Sequence, residues 1–341
     1  MEQADIIIYH SRDLDGLASG AVLIDSLDKE KTAKAIGYHY GEPFDSRKCK
    51  SKRVVMADVS MEMKKMLSIA KMSKEFIWMD HHKSAHEEFL NFCEEEKLQV
   101  LNFQFNGWID LYAVKKDGKL LMEYYYSSKL AACEIALAVM GEEHSFLIGD
   151  RDGSEAIHLL GQYDTWRNTE GKQLMLDKDW DRVVLPFQYG MRLHKDVWDV
   201  LEALREIGSY STGNVISRKI TEGKAIIEFQ KVINAKNMAF VFPVAFRLED
   251  KVINGIALNG GPFNSQTFES IWDPEKYDFM MPFAFQGIMW NFSLYTTKED
   301  VDILAVAKIY GGGGHKQACG FQVLADKVSI DRKGNILIDD K

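Results

Sequence analysis

The chain has 341 residues, a formal charge of −9, 46% apolar residues and 27% charged residues. At about 150 residues per domain, this length accommodates two domains, each with room for its own core. Six prolines and no Ser- or Gln-rich tract argue against long disorder, and the acidic balance argues against a general nucleic-acid coat, which needs a basic surface. No apolar run approaches the roughly 18 residues that span a bilayer. The opening MEQADIIIYHSRD lacks the basic flank of a signal peptide. Cys49, Cys93, Cys133 and Cys319 are scattered without CxxC spacing, so reduced thiols in a cytoplasm are expected.

In chain order, ADIIIY (residues 4–9) predicts a buried strand and GLASGAVLIDSL (16–27) an amphipathic helix after it. VVMADVS (54–60) and FIWMD (76–80) are two more short apolar runs, with helical patterns between and after them. SSKLAACEIALAVMG (127–141) predicts a helix with a serine cap and a glycine stop. GDRDG (149–153) reads as a solvated loop, and HLLGQYDTW (158–166) as a further strand-like run. Strands alternating with helices predict an α/β fold whose mostly parallel sheet is covered on both faces. Residues 196–237 predict a helical linker between a first domain at 1–195 and a smaller mixed α/β domain at 238–341.

Each apolar run of the first half ends in an acid or an imidazole. The first leads into His10, Asp13 and Asp15, the second into Asp58, the third into Asp80, His81 and His82, and the later one into Asp164. In a parallel sheet the carboxyl ends of the strands open onto one crevice, so these distant groups are expected to converge. Carboxylates crowded together raise one another's pKa unless cations sit between them. A mixture of carboxylate and imidazole suits manganese, iron or zinc better than calcium. Five or six such ligands exceed what one ion with an open position needs, whereas two ions about 3.5–4 Å apart, sharing a carboxylate, would use them all and activate a water for attack on phosphorus.

HSRDLDG, MADVS, MDHHKSA and GQYDTW, in that order, together with IYGGGGHKQACGF near the C-terminus, resemble the motifs of the DHH phosphoesterases, whose name spells Asp80-His81-His82. The resemblance covers nearly the whole chain. It is nearest to the oligoribonuclease (nano-RNase) branch and its exopolyphosphatase-like relatives, and residues 238–341 resemble the DHH-associated domain. It implies two Mn2+ ions, with Mg2+ or Co2+ as substitutes. Asp13 and His10 would hold one ion, Asp15, His81 and Asp164 the other, with Asp58 bridging. Asp80 would orient a neighbouring histidine, and His82 would act beside the scissile phosphate. The gap from His10 to Asp13 is three residues where many members have four, which makes Ser11 and Arg12 candidates for part of the role of His10.

Gly311, Gly312, Gly313 and Gly314 follow a helical pattern, EDVDILAVAKIY. A helix stop would use one or two glycines, so four are expected to bare backbone N–H groups to phosphate oxygens, with His315 and Lys316 as added donors. The resemblance places this loop across a cleft from the ions, with His315 contributing to catalysis and the cleft limiting the substrate to a short oligomer. The implied activity is hydrolysis of short single-stranded oligoribonucleotides to mononucleotides by a cytoplasmic enzyme, with no membrane partner and with room for a homodimer. The same site would also serve a cyclic mono- or dinucleotide phosphodiesterase, a 3′-phosphoadenosine phosphate phosphatase or an exopolyphosphatase. A single-strand DNA exonuclease and an inactive nucleotide-binding regulator are further alternatives. Trp290, Phe292 and Tyr295 would stack a base or pack a core equally well, and the basic run from Arg47 to Arg53 reads as a solvated approach loop. His39, His86, His144, His158 and His194 carry no partner pattern.

Overall fold

The computed structural model describes residues 2–28, 30–141, 151–168, 173–208, 215–248, 251–261, 263–330 and 336–338. It divides into two compact units, Met1–Ile227 and Glu228–Lys341.

The first unit is built on strands β1 (Ile6–His10), β2 (Lys34–Tyr38), β3 (Arg53–Ala57) and β4 (Glu75–Asp80), alternating with helices α1 (Leu14–Leu27), α2 (Met63–Met72) and α3 (Lys83–Glu95). A meander follows, β5 (Gln99–Asn106), β6 (Ile109–Lys116) and β7 (Lys119–Tyr126). Together they make a seven-stranded sheet of order β2-β1-β3-β4-β7-β6-β5. The pairings from β2 to β7 are parallel, and β7-β6-β5 is antiparallel. Helices α4 (Ala132–Met140), α5 (Arg151–Asp164), α6 (Leu185–Met191), α7 (Val197–Ile207) and α8 (Val215–Asn237) complete this part of the chain, and the division between the units falls inside α8.

Strand alternation decides the layers, because successive side chains point to opposite faces. Ile7, Tyr9, Val55, Ala57, Ile77 and Met79 join α1, α4, α5 and α7 in one core. Ile6, Ile8, Val54, Met56, Phe76 and Trp78 join α2 and α3 in the other. Trp78 is fully buried, stacked on Tyr124 at 3.9 Å, with its indole N–H donating to the Val59 carbonyl (3.0 Å). α7 therefore belongs to the first core; its buried Val197, Val200, Leu201 and Leu204 pack with α1 residues.

Three sequence expectations are corrected. Residues 158–164 are not a strand but the last turns of α5, a helix that already begins at Arg151 inside the segment read as a loop; residues 149 and 150 of that segment lie outside the described residues. α4 starts at Ala132, not at Ser127, whose hydroxyl instead accepts from the Lys129 and Leu130 amides of a turn. Gly141 does end α4, at φ +69°.

The second unit holds β8 (Phe242–Leu248), β9 (Lys251–Asn259), β10 (Phe279–Gln286), β11 (Met289–Tyr295), α9 (Ile303–Ile309), β12 (Gly313–His315) and β13 (Ala318–Leu324), with a small hairpin of β14 (Val328–Ile330) and β15 (Ile336–Ile338). Its sheet runs β12-β13-β11-β10-β9-β8. Phe292 stacks between Phe283 and Phe321 in the core against α9, while Tyr295 packs with the cluster on the opposite face. The strand register thus separates residues that the sequence reading had grouped.

α8 crosses α6 at backbone contact. A Cβ on Gly223 would overlap the Pro186 carbonyl, and one on Gly190 the Lys219 carbonyl. Gly223→Ala is therefore expected to destabilise the protein by about 1–3 kcal/mol through overpacking, read as a melting temperature lower by roughly 2–4 °C per kcal/mol.

Candidate metal centre

The carboxyl ends of β1, β3 and β4 and the C-terminus of α5 converge, as the topology of an open α/β sheet requires. His10, 7% exposed, is the last residue of β1. Asp13 caps α1, its Oδ1 accepting from the Gly16 amide (2.9 Å). Gly16 allows α1 to begin against β1, because a Cβ there would collide with the His10 backbone. Asp15, in the first turn of α1, accepts from the Ala132 and Cys133 amides (3.0 and 2.8 Å). The N-terminus of α4 thus anchors it with two of its orphan donors. Asp58 follows β3 in a left-handed conformation, φ +59°, with its amide donating to the Met79 carbonyl. Asp80, fully buried, accepts through Oδ1 from the amides of His81 (2.7 Å) and His82 (3.0 Å) and lies 2.7 Å from His82 Nδ1.

These placements bring six predicted ligands together. His10 Nδ1 lies 2.7 Å from Asp13 Oδ2 and 3.6 Å from Asp58 Oδ2. His81 Nε2 lies 3.4 Å from Asp58 Oδ1, 3.5 Å from Asp15 Oδ2 and 3.2 Å from Asp164 Oδ2. Three sets of donors therefore fall within 4.8 Å of one another: His10, Asp13 and Asp58; Asp15, His81 and Asp164; and Asp58, His81 and His82. His10 Nδ1, His81 Nε2 and Asp58 Oδ1 are buried without a hydrogen bond of proper geometry. Ligands at about 2.1 Å from one ion at right angles lie about 3 Å apart, so close approach without hydrogen-bond alignment is what a coordination shell requires. The donor set fits a divalent metal that takes mixed carboxylate and imidazole ligands.

Electrostatics agree. Burial and the Asp58 and Asp164 charges raise the Asp15 carboxyl well above its usual range, and burial, with Asp58 and Asp13, pushes Asp164 up to about 6 against the pull of His81. Burial opposes charge on the imidazoles, yet the surrounding aspartates carry His10 and His81 up to about 10. Asp58 is held below its usual range despite burial, by His10 and His81. These opposed shifts mark a concentration of negative charge that a bound cation would relieve.

Sequence reading missed the residues behind this cluster. His39 Nδ1 meets His10 Nε2 at 3.0 Å, and the Tyr40 ring lies 5.4 Å from that of His10 and 6.3 Å from that of His82. Both follow β2, the edge strand beside β1, so pairing order was the only signal that could have revealed them. Arg167, 3% exposed, clamps Glu134 through two bonds (2.8 and 3.0 Å) and Asp177 through Nε (3.1 Å). His158 lies between the same two carboxylates, 2.7 Å from Glu134 and 2.9 Å from Asp177. Glu134 also accepts from the Ala131 amide (3.0 Å). One network therefore ties the start of α4, which holds Asp15, to the end of α5, which carries Asp164. Gly161 leaves room for it, since a Cβ there would meet the Glu134 carboxylate.

The glycine loop is corrected in part. The Gly311 and Gly312 amides donate to the Lys308 and Ala307 carbonyls, closing α9, and are not bared to a ligand. Gly312 and Gly314 are needed because a Cβ would strike the Gly320–Phe321 and Ala318–Cys319 segments of β13. Gly313–His315 pairs with Ala318–Gly320 as a hairpin, leaving His315 and Lys316 exposed.

No family model matches the chain. It is 21% identical, over 94% of its length and 67% of the relative's, to an uncharacterized protein of Acanthamoeba polyphaga mimivirus. Among solved structures it is similar to a pGpG-specific phosphodiesterase from Vibrio cholerae (11% identity, 94% of each chain, TM-score 0.46). It is also similar to an exopolyphosphatase-related protein from Bacteroides fragilis (13% identity, 94% and 87% of the two chains, TM-score 0.46). A third is RecJ of Thermus thermophilus in complex with Mn2+ (12% identity, 94% of this chain and 49% of that one, TM-score 0.46). No helix among the described residues is long and apolar enough to cross a membrane.

Two outcomes are expected. Saturating Mn2+ should raise the melting temperature of the wild type, a site at 100 times its Kd contributing about 2.7 kcal/mol. Asp58→Asn, which keeps the left-handed backbone, should abolish most of that shift. Glu134 is buried, yet His158 and Arg167 hold its carboxyl below the usual range. Its contribution is thus complete above about pH 4.3 and is lost as pH falls through the lower, folded value. Urea midpoints followed from about pH 5 to about pH 3 should fall less steeply in Glu134→Gln than in the wild type.

Proposed function

We propose that this chain is a metal-dependent phosphoesterase that hydrolyses short oligoribonucleotides to mononucleotides. The observation that carries this reading is the position of Asp58, whose Oδ2 lies 3.6 Å from His10 of the His10–Asp13 set while its Oδ1 lies 3.4 Å from His81, the imidazole shared with Asp15 and Asp164. A carboxylate so placed could be shared by ions held at the two sets, which would supply charge neutralisation on phosphorus and a nucleophile at neutral pH.

The chain's own residues account for the rest. His10 and Asp13 would hold one ion, and Asp15, His81 and Asp164 the other. Asp80 fixes the ring of His82 through Nδ1, so that Nε2 is presented to the substrate. Burial disfavours the imidazolium, but the Asp80 carboxylate raises its pKa, so that His82 serves as a proton donor to a phosphate oxygen or the leaving group. The side chain is 38% exposed, the accessibility that a substrate contact requires.

Short oligoribonucleotides are favoured over long strands because a chain of net charge −9 offers little for a long phosphate backbone. The resemblance of DLDG, DHHKSA and GGGGHKQACGF to the oligoribonuclease branch supports the same choice. Manganese-supported turnover of a 5′-labelled RNA ladder, beside a cyclic dinucleotide and polyphosphate, tests it. Fast loss of the shortest oligomers with stalling on long ones is expected, with His82→Ala lowering kcat about 10²- to 10⁴-fold and Asp80→Ala inactive. Turnover of the cyclic dinucleotide or polyphosphate alone would overturn the substrate class, and metal binding without any turnover would overturn the enzyme.

A further inference from the structure

Two residues beyond Asp164 stands a side chain that the helix end does not call for. α5 closes with the Trp166 amide donating to the Tyr163 carbonyl and the Arg167 amide to that of Gln162, both at 3.1 Å. This pattern places Trp166 in the left-handed region, φ +50°, where glycine is the usual residue because a Cβ is disfavoured there. Tryptophan stands there instead, and it stays 54% exposed. A bulky residue kept in a strained backbone without being buried points to a use outside the core.

The ring has a built support. Its centroid lies 5.9 Å from that of Tyr163 and 5.5 Å from that of Trp180, with planes inclined by 30° and 24°. Tyr163 and Trp180 are themselves 5.5 Å apart and 6° from parallel. The three rings thus lie within 6 Å of one another with planes inclined by 30° or less, and Trp166 is the member left largely exposed. Arg192 secures the set from the end of α6, with its guanidinium 5.5 Å from the Tyr163 ring and 4.7 Å from the Tyr189 ring, and Nη2 donating to the Tyr163 hydroxyl (2.9 Å). Consecutive Cα atoms are about 3.8 Å apart, so the Trp166 backbone lies within about 8 Å of that of Asp164.

We propose that Trp166, backed by Tyr163 and Trp180, is a stacking platform for the nucleobase adjoining the phosphate held at the metal centre. This rests on the phosphodiesterase reading and adds the base to it. Such a platform reads no sequence, since every base offers a π face; Arg192 holds the rings in place and adds positive charge at their rim.

The test is equilibrium binding, by calorimetry with Mn2+ present, of a diribonucleotide analogue with a methylene in place of the bridging oxygen, compared with the same analogue lacking both bases. Trp166→Gly relaxes the left-handed position and is expected to fold; Trp166→Phe keeps a smaller ring. The glycine variant should bind the base-bearing analogue about tenfold or more weakly and the abasic one unchanged, with the phenylalanine variant intermediate. Equal losses for both ligands, no loss for either, or a wild type that binds both alike would overturn the platform. Turnover of the natural dinucleotide by the wild type, measured alongside, decides the hydrolase reading separately.

Discussion

Three crowded aspartates that repel one another govern this structure. Asp15, Asp58 and Asp164 approach the same imidazole, His81, within 3.5 Å, and two of the three are pushed toward their neutral forms. Withdrawing such a set from water is costly, so the fold must hold it against its own repulsion, and a cation bound there would relieve that repulsion. The α4 amides on Asp15, the left-handed turn at Asp58 and the carboxylate of Asp80 under His82 are the means of holding it.

The second layer behind the centre is itself ionic. Arg167 and His158 lie between Glu134 and Asp177 with almost no exposure of the guanidinium or of either carboxylate. A buried network of this kind contributes little net stability compared with a well-packed apolar cluster. Its effect is geometric, because the same carboxylate that receives Arg167 also accepts the amide at the start of α4. The helix that anchors one aspartate and the helix that carries another are thus referenced to a single group. Trp166 stands between Asp164 and Arg167 in the chain, so its backbone is fixed from both sides.

The second unit uses glycine differently. Its run of four satisfies a helix end and permits a tight hairpin on β13, so close packing explains most of what composition alone suggests is a phosphate cradle. What the hairpin presents outward is His315 and Lys316.

Apolar runs and what ends them were legible in the sequence. β1, β3, β4, α1 and α3 follow from period and composition, and their terminal residues His10, Asp13, Asp58, His81 and His82 do converge. Asp164 was found for its acid but placed on the wrong element, because a short apolar run does not distinguish a strand from a helix. His39, Tyr40, Glu134 and Arg167 carry no local pattern; they reach the site through strand order and through one helix start meeting one helix end. The sequence by itself determined which side chains could bear metal chemistry, since that depends on residue type at strand ends. Tertiary structure decided how they are charged, oriented and backed, since those depend on atoms that are distant in the chain and a few ångströms apart in space.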